Sequence, residues 1–154
     1  MKLAIGCDHG GFELKEEVLK FIKTVANIEV SDLGPAGKES VDYPDYGAKV
    51  AEAVSNGAMD RGILICGTGI GMSMVANRYP NVRAALCHDH FTALMSREHN
   101  DANVLVMGER VLGKGVALEI VKTWLDTPFA GGRHQKRLDK ITAIEKAVGA
   151  ATSR

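Results

Sequence analysis

Short apolar runs alternate with segments of helical spacing from one end of the chain to the other. Residues 3–7 form a compact apolar run that stops at Asp8-His9-Gly10-Gly11. Leu14, Val18, Leu19, Phe21, Ile22 and Val25 then recur at helical spacing with Lys and Glu between them, which predicts an amphipathic helix. Residues 28–33 read as a second strand, stopped by Gly34-Pro35-Ala36-Gly37. A helix is expected to begin near Pro44, where the fixed φ of proline suits a first turn, and to carry Val50, Ala51 and Val54 inward. Residues 62–66 are the third strand, followed by a glycine loop and a helix to about Arg78. The fourth strand is 83–87, followed by a helix from about His90 to Arg97 or Glu98, and the fifth is 104–107. Val116, Ile120, Val121 and Trp124 mark the next helix. A last one, from about Arg133 to Val148, sets Leu138, Ile141, Ile144 and Val148 along one stripe.

Five strands alternating with helices imply a three-layer α/β/α sandwich with right-handed crossovers. Near-continuous Ile, Leu and Val in the strands favour a parallel sheet over an antiparallel one. The expected fold is a five-stranded, Rossmann/flavodoxin-like parallel sheet with an additional C-terminal helix. A length of 154 residues fits one domain, taken as 1–154.

Composition narrows the classes further. Hydrophobic residues are 45% and charged residues 25%, which suits a globular protein and not a disordered one. Lys plus Arg is 19 and Asp plus Glu is 19, so net charge makes no case for nucleic acid or an anionic membrane. The apolar runs are too short to span a bilayer, and the N-terminus reads as a first strand rather than a signal peptide. Three cysteines without a secretory signal suggest reduced thiols and a cytoplasmic location.

Ligands of open parallel sheets bind beyond the carboxyl ends of the strands, so the residues just past each strand are the candidates. These are Asp8 and His9, then Cys66 with Gly67, Thr68, Gly69, Ile70 and Gly71, then His88-Asp89-His90, then Glu109 and Arg110. The glycine loop is not a P-loop, because no Gly-Lys-Ser/Thr follows, and the Rossmann spacing fails at Met72. What remains is a strand-to-helix turn whose backbone can approach an anion. Cys7, Cys66 and Cys87 all close strands, and a buried packing role is the default for each. Cys66 differs because helix N-terminal amides would stabilise its thiolate, pulling the pKa below the free value of about 8.5. His88-Asp89-His90 lacks further ligands at metal-binding spacing, so no metal is expected and Asp89 reads as a helix cap. Arg133 and Arg137 share one face at the start of the last helix and suit a phosphate as well as they suit a solvated basic turn.

Taken together, these segments resemble the ribose-5-phosphate isomerase B family. The resemblance rests on Gly6-Cys7-Asp8-His9-Gly10-Gly11-Phe12, Asp42-Tyr43-Pro44, Ile65 to Gly71, Ser96-Arg97-Glu98-His99-Asn100-Asp101-Ala102-Asn103-Val104 and Gly131-Gly132-Arg133-His134-Gln135. It implies an aldose–ketose isomerase that interconverts ribose 5-phosphate and ribulose 5-phosphate with no cofactor. It implies that Cys66 is the proton acceptor, since Met72 stands where other branches of the family carry a glutamate base. It implies that His99 opens the furanose ring. Asp8, His9, Gly67 to Gly71, Asn100, Arg110, Arg133 and Arg137 match sugar- and phosphate-binding positions, with Thr68 Oγ on a sugar hydroxyl. The chemistry fits the residues. A cis-enediolate needs a base with a pKa near working pH and preorganised donors for its oxyanion, which Cys66 and the loop amides could supply.

Two alternatives stay open. One is an isomerase of a six-carbon sugar phosphate, such as galactose 6-phosphate or allose 6-phosphate. The other is a non-catalytic phosphoryl-ligand binding domain, for which Cys66 and His99 would have no use. Topology adds an expectation about partners. His99 and Asn100 precede the fifth strand, at the sheet edge opposite Cys66, so the active site is expected to be shared within a homodimer, or within a dimer of dimers. A monomer in which His99 merely caps its helix is the competing reading.

Overall fold

The computed structural model describes residues 1–152; the last two positions of the expected domain lie outside the described residues. In chain order the elements are β1 (Lys2–Cys7), α1 (Phe12–Ile22), β2 (Glu29–Asp32), α2 (Tyr43–Ser55), β3 (Arg61–Cys66) and α3 (Ile70–Ala76). They continue as β4 (Ala84–Leu86), α4 (His90–Glu98), β5 (Val104–Gly108), α5 (Lys114–Asp126) and α6 (Arg133–Thr152). A short 3₁₀ turn, His9–Gly11, leads into α1. The strands form one sheet in the order β2-β1-β3-β5-β4, with every pairing parallel. This is the expected α/β/α sandwich.

Strand alternation divides the core into two layers. Ile63 and Ile65 face one side with Leu3, Ile5, Leu105 and Met107, where α1 supplies Leu14, Val18 and Ile22 and α5 supplies Ala117, Ile120 and Trp124. Leu64 and Cys66 face the other side with Ala4, Val104 and Val106, covered by Val50 and Val54 of α2 and Met72 and Ala76 of α3. Among the described residues no helix is long and apolar enough to cross a membrane.

Boundaries moved in three places, each for a local reason. α1 stops at Ile22, so Val25 lies beyond it, and the chain reverses through Asn27 at φ 64°. α3 stops at Ala76 because Asn77 turns its amide onto the chain: its Nδ2 donates to the Ser73 and Ala84 carbonyls, and its Oδ1 accepts from Ala84 N. The same amide occupies the outer edge of β4, which is why that edge strand is only three residues long. The α6 stripe is real but mostly unfilled by its own chain. Leu138 is 6% exposed, whereas Ile141 and Ile144 are 50% and 64% exposed.

Strand order decides where a ligand can sit. β1 continues to β2 on one side and lies beside β3 on the other, so the chain changes direction across the sheet between β1 and β3. The crevice outside the carboxyl ends of those two strands is the binding position of open α/β sheets. Asp8, His9 and Cys66 to Gly71 lie there.

Candidate active site

Cys66 is the last residue of β3 and is buried, at 5% exposure. The chain turns sharply after it, and Gly69 N donates to Cys66 Sγ at 3.1 Å. Gly69 makes that turn possible. Its φ is +80°, and a Cβ there would lie 2.4 Å from Leu86 Cδ1 and 3.0 Å from the Met107 carbonyl. Thr68 is exposed, and its Oγ1 accepts from Ile70 N at 3.3 Å. Ile70 and Gly71 open α3, where first-turn amides have no partner within the helix.

The neighbouring strand ends complete this edge. Asp8 is buried, and its Oδ1 accepts from Gly10 N at 2.9 Å, while its own amide donates to Ile65 O at 3.3 Å. His9 is exposed, and its Nδ1 lies 3.1 Å from Val41 O and 3.2 Å from Val41 N, so the β2–α2 loop orients its ring. Glu109 N donates to Cys66 O and Arg110 N to Gly67 O, which lays the exposed Arg110 side chain along Gly67. Glu109 itself is spent on structure: its Oε2 accepts from Leu14 N in the first turn of α1.

The other two cysteines lie in the opposite layer. Burial pushes the Cys7 thiol up to about 12, with Asp32, Asp8 and Glu109 adding to the rise and Lys15 opposing it. Burial also raises Cys87, against hydrogen bonds from Ser96 and Thr92. Neither supplies a thiolate at neutral pH, in keeping with a packing role.

A second cluster forms at the amino edge. His99 follows α4, and its amide donates to Met95 O. Asp101, at φ 44°, lets the chain double back into β5 and accepts from both Arg83 and Arg97. Arg83 Nε also donates to the Asn100 carbonyl. The start of α6 packs onto this turn: the His99 and His134 rings stack with centroids 4.2 Å apart and planes 10° apart. Arg133 and Arg137 are exposed on the neighbouring face of α6.

The predicted site residues are therefore split into two groups. Asp8, His9, Cys66 to Gly71 and Arg110 meet at the carboxyl edge, and His99, Asn100, Arg133 and Arg137 gather at the amino edge. Cys66 pairs with Gly108 and Gly62 with Val104, so the groups are separated by at least four strand steps, about 13 Å. A concavity of about 790 Å³ lies not over Cys66 but between α6 and β4, with Val82, Asn100, Leu138, Ile141 and Ile144 in its wall.

Two further residues enter the picture from the fold. Tyr43 opens α2, and its ring lies where a Cβ on Gly71 would fall, 2.7 Å away, so it roofs the glycine loop. His134 is 6% exposed and belongs with His99. Helical spacing could have suggested its inward position, because His134 and Leu138 are four apart and both point in. Asp89 caps α4, accepting from Thr92 N at 2.7 Å, and His90 Nδ1 meets Thr123 Oγ1 at 2.9 Å. Among the described residues no group of three or more His, Cys, Asp or Glu could hold a metal ion.

A family model described as Ribose/Galactose Isomerase matches residues 3–141. Ribose-5-phosphate isomerase B of Escherichia coli strain K12 is 48% identical over 145 residues, 94% of this chain and 97% of that protein. The structure of Clostridium thermocellum ribose-5-phosphate isomerase B is similar at a TM-score of 0.93 and 57% identity, over 96% of this chain and 99% of that one. Ribose-5-phosphate isomerase B from Mycoplasma genitalium, solved with bound ribulose-5-phosphate, gives a TM-score of 0.90 at 41% identity, over 94% and 96%.

Proposed function

Because the chain belongs to the ribose/galactose isomerase family and is a sugar phosphate isomerase, we propose that it interconverts D-ribose 5-phosphate and D-ribulose 5-phosphate through a cis-enediolate. The observation that carries this reading is the Cys66 thiol, held by the Gly69 amide at the crevice between β1 and β3. The likeness to ribose-5-phosphate isomerases B, at 41% to 57% identity, supports the five-carbon substrate.

In this reading the reaction has two stages. His99 gives a proton to the ring oxygen as the C1–O4 bond breaks, and the C1 hydroxyl proton returns to the imidazole as the aldehyde forms. Cys66 then takes the proton from C2 to give the enediolate, the O2 proton passes to O1, and return of the carbon-bound proton to C1 yields the ketose. First-turn amides of α3 and Thr68 Oγ1 face the developing oxyanion and a sugar hydroxyl, and Asp8 orients the sugar. His9, Arg110, Arg133 and Arg137 hold the phosphate, and that remote grip fixes the reacting carbons against Cys66.

The two groups of residues cannot serve one sugar from a single chain across about 13 Å. In our reading a two-fold partner therefore supplies His99, Asn100, Arg133 and Arg137 to each Cys66, giving two composite sites per homodimer. The exposed Ile141 and Ile144 of α6, beside the concavity against β4, suit burial by a second copy of the chain.

A coupled assay over four-, five- and six-carbon aldose phosphates, with and without EDTA, tests the reaction. The highest kcat/KM is expected on ribose 5-phosphate, unchanged by chelation because a thiol is the base. Preference for a six-carbon phosphate would overturn the substrate, and EDTA-sensitive activity restored by a divalent ion would overturn the base. Arg133→Ala and Arg137→Ala should each raise KM for sugar phosphate by about tenfold. The double variant should cost less than the product of the two, because both grip one phosphate. Equal losses on an unphosphorylated sugar would mean damage to the start of α6 instead.

A further inference from the structure

His134 is a buried imidazole without a full set of partners. It is 6% exposed, and its Nδ1 finds no hydrogen-bond partner among the described residues. Its Nε2 faces Arg133 Nε at 3.5 Å. An arginine nitrogen only donates, so Nε2 is the accepting nitrogen and the proton sits on Nδ1. Protonating Nε2 would set two donors against each other, so this geometry holds the ring neutral.

The charges around the ring act in the same sense. Burial pushes His134 below the ordinary histidine range, His99, Arg133 and Arg137 push it further, and Glu98 opposes them. Against this neutral ring the His99 imidazole lies nearly parallel, at 4.2 Å between centroids. Two imidazolium rings at that separation would repel, whereas an imidazolium is attracted to the face of a neutral aromatic ring. The backbone on both sides is fixed as well. The His99 amide is held by Met95 O, Ala130 N donates to Glu98 O, and His134 N donates to Gly131 O.

We infer that His134 is a positioning residue for His99: its neutral ring, braced by Arg133, sets the plane of the His99 imidazole and gives the protonated form a π face while it serves the sugar ring oxygen. The inference rests on the proposed role of His99 in ring opening. It assigns His134 no contact with substrate.

The substrates allow a clean test, because only one of them has a ring to open. Ribose 5-phosphate is largely a furanose. Ribulose 5-phosphate has its O5 esterified, cannot close a five-membered ring, and is acyclic. Two reactions should therefore be followed in the full-length protein: turnover of ribose 5-phosphate, and deuterium wash-in at C1 of ribulose 5-phosphate in D₂O. His134→Ala is expected to lower kcat on ribose 5-phosphate by about 10- to 100-fold and to leave the wash-in rate within about threefold. His134→Phe keeps the stacked ring without its nitrogens and should restore most of the ribose 5-phosphate turnover. Equal loss of both reactions in His134→Ala, or a Phe variant as impaired as Ala, would overturn the inference. So would unchanged turnover in His134→Ala. If His134→Ala does not fold, His134→Phe decides alone, and selective loss of ribose 5-phosphate turnover in it refutes the stacking role. Failure of the underlying reading looks different: the unaltered protein would not turn over ribose 5-phosphate, or His99→Ala would turn it over normally.

Discussion

Cys66→Ala is expected to lower isomerase kcat by on the order of 10³-fold, the range that a positioned base contributes. Binding of sugar phosphate should change by less than about threefold, because the proposed site grips the phosphate elsewhere, through His9 and the arginines. Cys7 and Cys87 are the internal controls. Their thiols are raised by burial, Cys7 to about 12, and neither offers a thiolate at working pH. Cys7→Ala and Cys87→Ala should keep kcat and cost about 1 to 2 kcal/mol of stability through lost packing, read from urea denaturation. A Cys66→Ala protein with near-normal turnover would eliminate the thiol as base. It would leave Cys66 as core filler beneath the glycine loop.

Mixing Cys66→Ala chains with His99→Ala chains should restore activity that neither has alone. Each homodimer should be impaired by about 10²-fold or more on ribose 5-phosphate, one lacking the base and the other the ring-opening group. With composite sites as proposed, an exchanged heterodimer would contain one site assembled from the intact Cys66 of one chain and the intact His99 of the other. Half of randomly paired dimers are mixed, and half of their sites are intact, so about a quarter of full activity should return. Subunit exchange can be verified with differently tagged chains. No recovery despite exchange would mean that both residues act within one chain, or that His99 has no catalytic part, and the composite site would be wrong.

Most of the candidate site could be read without coordinates because its residues fall at strand ends, and strand ends are visible in the pattern. Residues 62–66 end at a glycine loop, and residues 3–7 end at Asp8-His9, so the carboxyl edge was predictable to within a residue. Cys66 stood out from Cys7 and Cys87 only because amides follow it in the chain, and Gly69 N does reach its sulfur. Tyr43 was different. Nothing local ties an aromatic at the start of α2 to a glycine 28 positions later; their contact exists because α2 and α3 pack side by side on one face of the sheet.

Periodicity and turn residues sufficed, with no coordinates, for the parallel α/β/α class, the identity of the strands, the glycine turn after Cys66 and the capping of α4 by Asp89. These depend on local propensity and on alternation along a short stretch of chain. The tertiary structure alone decided the strand order β2-β1-β3-β5-β4, because pairing between strands is long-range and leaves no periodic trace in the sequence. That order lays Arg110 beside Gly67 and shortens β4 to an edge strand blunted by Asn77. It decided also that His99 stacks on His134, two residues 35 positions apart, and that Ile141 and Ile144 stay uncovered while Leu138 is buried. Helical spacing shows which residues share a face. Only the packing of whole elements shows what that face meets.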